Sequence, residues 1–349
     1  MTDNQWIQLL QILDGKQPET PPIGFIIDSP WLPGWAGIST LDYYTSDNHW
    51  FNANMKAIQT FPDVMFLPGF WSEYGMCTEP SAFGSRLVWS NENLPHAEKI
   101  LSSIKDVTKL PRPNVESDGL LPFVINRMKV MEAKMHNSDH QIRFAIARGP
   151  LNIASFLMGS SEFLMALMME PDATHELLSR ITDFTSEWLL YQKTCFPSID
   201  GILLLDDIVG FVGDNECREF VVPYIKKLYS VFDASVRFFH NDAHGLVCAP
   251  YLGDMGVNLF NFSFKHSIPE IKKLAGDNIT LLGNIPPRDV LAVGTAQNVA
   301  DAVEKDWTSI KDKKRIIWSC GGGMPQGVST QNLNAFINTI NRIYEKIID

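Results

Sequence analysis

Val236-Arg-Phe-Phe-His-Asn-Asp-Ala-His-Gly245 is the stretch from which the rest of the chain can be read. Val236, Phe238 and Phe239 form a short apolar run of the kind that makes a buried strand, and His240, Asp242 and His244 follow at its end. Imidazoles and carboxylates bind metals and carry protons. The carboxyl end of a buried strand is where barrels and doubly wound sheets place such groups. The same residues also suit a turn, with Gly245 supplying a permissive backbone position, so Asp242 and His244 carry both readings.

Outward from this stretch, further apolar runs of strand length occur at 23–27, 64–67, 142–147, 202–205, 259–262, 279–282 and 316–318. Helical patterns at 121–135, 160–169, 172–192, 215–232 and 332–347 fall between or after them. Short apolar strands alternating with helices predict a parallel sheet. Eight such runs, and no G-x-G-x-x-G after the first, favour an α/β fold of the (β/α)8 TIM-barrel type with an N-terminal extension. No Gly/Ser linker and no internal repeat divides the chain, so residues 1–349 are expected to form a single domain. In such a barrel the strand exits would gather Asp28, Trp71, Glu73, Arg148, Asp206, Asp207, His240, Asp242, His244, Asn261, Asn284 and Cys320 on one face.

Bulk properties exclude several functions. With 29 basic against 40 acidic residues, a net charge of −11, no basic block exists to neutralise phosphates. Nucleic acid is therefore not expected as a partner. No apolar run approaches the roughly 20 residues of a spanning helix, so a membrane is not expected either. The five cysteines are scattered, with no CxxC pair, and the first 20 residues are mixed and polar. A reducing, cytoplasmic location is expected from this usage.

Several segments resemble a known family. Gly149-Pro150-Leu151-Asn152-Ile153-Ala154-Ser155-Phe156-Leu157-Met158-Gly159, then Glu162-Phe163-Leu164-Met165, resembles the Gly-Pro segment of the uroporphyrinogen decarboxylase superfamily. Arg218-Glu219-Phe220, Leu282-Gly283-Asn284 and Cys320-Gly321-Gly322-Gly323-Met324-Pro325 with Asn332-Leu333 resemble later segments, in the same order. That superfamily includes zinc-dependent, corrinoid-linked methyltransferases, and the resemblance is closest to this branch. The decarboxylase branch implies an Asp-Ile step after the second strand and an arginine-rich N-terminal loop. Here that exit is Phe66-Leu67-Pro68-Gly69-Phe70-Trp71, with no acid until Glu73 and no arginine before Arg86.

The methyltransferase branch implies zinc held by His-x-Cys on the fifth strand and a late cysteine. This chain has His240 and Cys320 at those places, with Asp242 where the first cysteine would stand. Related aromatic ether demethylases have a glutamate with 20 residues between it and the histidine, as Glu219 stands to His240, although the earlier glutamate of that pattern falls on Leu204. The resemblance thus implies a zinc site drawn from His240, Asp242, Glu219 and Cys320. It also implies methyl transfer between a small methylated compound and the cobalt of a corrinoid carried by a partner protein. Asp207 and His244 are the candidate catalytic residues, as proton donors to the leaving group. A metal-dependent lyase of the decarboxylase type and a non-catalytic tetrapyrrole-binding barrel are the alternatives.

Overall fold

Eight parallel strands follow one another in chain order in the computed structural model, which describes residues 1–348 and side chains through residue 346; Ile347 of the closing helical pattern lies outside the described side chains. The strands are β1 (Gly24–Ile26), β2 (Met65–Leu67), β3 (Phe144–Arg148), β4 (Gly201–Leu205), β5 (Val236–Asn241), β6 (Leu259–Phe262), β7 (Thr280–Ile285) and β8 (Ile316–Cys320). Strands β3 to β8 form one continuous six-stranded parallel sheet, and β1 pairs with β2. The two pieces meet through a parallel bridge between Ile23 and Trp318, with the Trp318 N–H donating to the Pro22 carbonyl at 2.7 Å. The expected (β/α)8 architecture is therefore present.

The pleat decides what faces inward. Ile26, Met65, Leu67, Phe144, Leu203, Leu205, Val236, Phe238, Leu259, Leu282 and Ile317 share one inner cluster. Alternate residues such as Ile202, Leu204, Phe239, Phe260 and Leu281 join a second cluster with the surrounding helices. One step beyond the inner apolar layer, the same alternation carries Asp28, Arg148, His240 and Asn261 inward at the carboxyl end. The amino end is closed by α1 (Asp3–Leu13), whose Trp6, Leu9, Ile12 and Leu13 enter the inner cluster. Thr2 and Gln5 start that helix with a reciprocal capping box.

One seam is not zipped. Among the described residues β2 and β3 do not pair, so the edge of β3 must find other partners. Helix α2 (Pro171–Cys195) supplies Gln192, whose side-chain amide accepts from the Ile146 N–H at 3.0 Å and donates to the Ile146 carbonyl at 2.9 Å. Glu79 accepts from the Arg148 N–H at 2.9 Å. Two side chains thus stand in for a missing strand.

The helix expected at 215–232, with a kink at Pro223, is present over residues 214–229, its α-helical pattern broken by a π-helical stretch at Cys217–Val221 before the α-helix resumes over Val222–Tyr229. Pro223 accounts for the break, because proline has no N–H to donate and its ring clashes with the carbonyl four residues earlier. Among the described residues no single helix is long and apolar enough to cross a membrane.

Candidate metal centre

The site is built where β4 and β5 end. His240 is the last inward residue of β5 and is buried. Its Nδ1 lies 2.8 Å from Asn261 Oδ1 on the neighbouring β6, and its Nε2 lies 3.7 Å from Asp207 Oδ1. Asp207 follows β4, and its Oδ1 accepts from the Asp242 N–H at 3.1 Å. One ligand-type atom from each of Asp207, His240 and Asp242 lies within 4.8 Å of the others. Burial raises the proton affinity of Asp242, and His240 partly offsets it. Space for the Asp242 carboxylate comes from Gly322, at φ 108°, where a Cβ would fall 2.5 Å from Asp242 Oδ2.

The two adjacent acids after β4 have been separated. Asp206 is fully buried, and it accepts from the backbone N–H groups of Leu151 (2.9 Å) and Asn152 (3.0 Å). These amides open the helix Pro150–Met158, so Asp206 caps that helix from a neighbouring strand. Gly149 lets it approach, since a Cβ there would sit 2.2 Å from Asp206 Oδ2. Asp207 turns the other way and keeps an oxygen for the site. The sequence places both acids at the strand exit, and only Asp207 joins the group.

Three other expected residues stand apart from it. Glu219 lies on the π-helical stretch with its side chain 53% exposed, 3.2 Å from His175 Nε2, and it does not reach His240. The break at Pro223 sets this local geometry, which a count of 20 residues along the chain does not register. Cys320 is buried, and its thiol donates to the Gly322 carbonyl at 3.3 Å while burial pushes its pKa up to about 12. That hydrogen bond turns the thiol toward Gly322, and its sulfur is not among the ligand-type atoms that gather with His240. His244 is exposed, with Nδ1 3.4 Å from Ser263 Oγ, and it lies near enough to Asp242 to ease the charge there without joining the triad.

A second set of acids occupies the β1–β2–β3 side. Glu73 accepts from the Ser29 N–H, Glu79 from the Arg148 N–H, and burial raises the proton affinity of both. Burial also raises that of Asp28, whose Oδ1 is enclosed without a partner. Arg148 moderates all three and reaches the Gly75 carbonyl at 3.3 Å. Glu79 stands in the exit segment after the second strand, and the sequence gives it no role. Its role comes from an unpaired strand edge that no local pattern announces.

One nitrogen and two carboxylates around one point suit a divalent cation such as zinc. The fit is supported by Nε2 of His240, which points at Asp207 rather than at a backbone donor. His240, Asp207 and Asp242 would hold the ion. Fold and site together define a (β/α)8 barrel with a metal-capable centre at its strand exits.

The chain matches the model of the uroporphyrinogen decarboxylase (URO-D) family over residues 7–343, and it belongs to that family. Uroporphyrinogen decarboxylases of Pseudoalteromonas translucida and Chlorobaculum tepidum are similar to it, at 22% identity over 282 residues and 24% over 252. These cover 77% of this chain and 77% of the first relative, and 69% and 70% for the second. A methyltransferase from Methanosarcina mazei has a similar structure, with a TM-score of 0.80 at 16% identity, over 97% of this chain and 99% of that one. At that identity the likeness is one of fold.

Proposed function

We propose that this chain is a metal-dependent methyltransferase, moving a methyl group between a small methylated compound and the cobalt of a corrinoid held by a partner protein. The observation that carries this reading is the Asp207–His240–Asp242 group at the strand exits, with ligand atoms within 4.8 Å of one another. When bound there, zinc supplies Lewis-acid polarisation of the methyl-bearing atom's leaving group. His240, Asp207 and Asp242 would hold the ion, and a carboxylate bound to it is ionised. His244, exposed beside Asp242, is then the candidate proton donor to the leaving group. Trp71 belongs to the inner apolar cluster and lies beside the Arg148 guanidinium.

The named relatives favour a second reading, decarboxylation. The charge at the strand exits speaks against it. Asp28, Glu73, Glu79, Asp207 and Asp242 surround that end, and Arg148 is the one guanidinium among them. A substrate with several carboxylates would find acids and a single nearby guanidinium there rather than a cationic funnel. The reading further has the chain acting as a single domain in the cytoplasm, with neither nucleic acid nor membrane as partner. The five free cysteines and the net charge of −11 support that setting.

Metal analysis and a corrinoid assay test it. Purified wild type should carry about one zinc per chain, and His240→Ala none. With the metal present, one member of a panel of methyl ethers, methylamines and methyl thioethers should methylate cob(I)alamin or a corrinoid protein, read as loss of the Co(I) absorbance. If none does so even with a corrinoid protein supplied, methyl transfer is the wrong assignment and a metal-dependent lyase takes its place.

A further inference from the structure

His240 can carry its proton on either ring nitrogen, and its neighbour on β6 decides which. Asn261 is fully buried. Its Nδ2 donates to the Leu282 carbonyl at 2.8 Å and to the Cys320 carbonyl at 3.3 Å. Both partners are acceptors only, so the amide cannot turn over without setting its oxygen against two other oxygens. Its Oδ1 is thereby fixed 2.8 Å from His240 Nδ1. An amide oxygen can only accept, so Nδ1 must bear the hydrogen. On the neutral ring the lone pair is then left on Nε2, the nitrogen that faces Asp207 at 3.7 Å.

We propose that Asn261 is a positioning residue that fixes the His240 tautomer and so reserves Nε2 for a divalent cation. Outer partners of this kind orient a ligand ring and tune it. An amide does so without adding charge, which leaves the imidazole a weaker electron donor than a carboxylate partner would. The arrangement also gives Cys320 a part that its thiol does not have. Through its backbone carbonyl it anchors the amide, and with Leu282 it ties β7 and β8 to the ring on β5. The inference rests on the proposed metal at His240 for its second half only, because the tautomer is a property of the metal-free chain.

Two measurements test it. Long-range proton–nitrogen correlation on histidine-labelled, metal-free protein should show wild-type His240 as the Nδ1–H form. Asn261→Leu, which has no acceptor, should shift His240 toward a mixture, whereas Asn261→Asp should keep Nδ1–H. A residue that merely ties strands together would lower stability in both variants and move the tautomer in neither. Wild-type protein with the proton on Nε2 overturns the proposal at once, even if Asn261→Leu does not fold. In the second measurement, zinc titration against a competing chelator should show Asn261→Leu weaker by about 10–100-fold, and equal affinity overturns the metal half. If wild type binds no zinc, the proposed function falls, and the nitrogen spectra still decide the role of Asn261.

Discussion

The carboxyl end of the barrel carries two groups of acids with similar composition and different commitments. On the β4–β5 side, Asp207 and Asp242 flank His240, and a single backbone N–H, that of Asp242, binds Asp207 at 3.1 Å. On the β1–β2–β3 side, Glu73 and Glu79 are held by backbone amides beside Arg148. In the second group Glu79 repairs an open strand edge and Glu73 serves the Ser29 N–H, whereas Asp207 and Asp242 keep lone pairs directed at His240. Asp206 makes the same point within one dipeptide, since it is consumed by a helix terminus while Asp207 is not. What marks a site here is the number of acceptor positions left over after the backbone has been served.

The comparison breaks most readily at the metal. His240→Ala should weaken zinc binding by more than the roughly 10–100-fold expected for losing an outer partner. Glu219→Ala and Cys320→Ser should leave it unchanged in the same competition titration. Loss of zinc in Cys320→Ser would mean that the thiol swings away from the Gly322 carbonyl to bind, and that the ligand group is larger than the triad. Next in size is Asp206→Ala. It strands the Leu151 and Asn152 amides, at about 1–3 kcal/mol for each buried donor left unpaired, read by urea unfolding. A change within experimental error would show that water replaces the cap.

Glu79→Leu sharpens the contrast from the other side. It removes one acceptor, that of the Arg148 N–H, so unfolding free energy should fall by about 1–3 kcal/mol. Zinc affinity should stay at the wild-type value, because Glu79 serves the seam. A matching drop in zinc affinity would show that the two groups of acids act as one site.

How much of this could be read from the sequence follows from how local each cause is. Apolar runs separated by helical patterns predicted all eight strands, because burial and pleat act over a few residues. His240, Asp242 and Asp207 were legible for the same reason, as polar residues just past apolar runs. Glu219 lies off the group because a spacing along the chain does not carry the extra rotation of the π-helical stretch ahead of Pro223. Glu79 and Gln192 were invisible as strand-edge partners. Their roles exist only once β2 and β3 fail to pair, and that is settled by packing between residues far apart in the chain. Asn261 was legible as a strand-exit residue, but its grip on His240 needed the register between β5, β6 and β7.

The smallest effect is one of sign, and it concerns Glu79→Gln. The Gln side chain keeps a carbonyl oxygen for the Arg148 N–H, so the seam stays capped and only ionisation is lost. In the folded chain the Glu79 carboxyl has its pKa raised above the ordinary 4.5, chiefly by burial, with Arg148 offsetting part of the rise. Below 4.5 the folded and unfolded chains both hold the proton, and this group contributes its full stability. As pH climbs past that value, the unfolded chain releases its proton first, and the native state loses ground until its own raised pKa is passed. Glutamine has no proton to release. Glu79→Gln should therefore match wild type in mild acid and become progressively the more stable of the two toward neutral pH, followed by urea unfolding across that range. The opposite trend, with the variant losing stability relative to wild type as pH rises, would mean that Glu79 is ionised and favourably paired with Arg148. The second group of acids would then hold the seam by charge rather than by its hydrogen bonds to backbone.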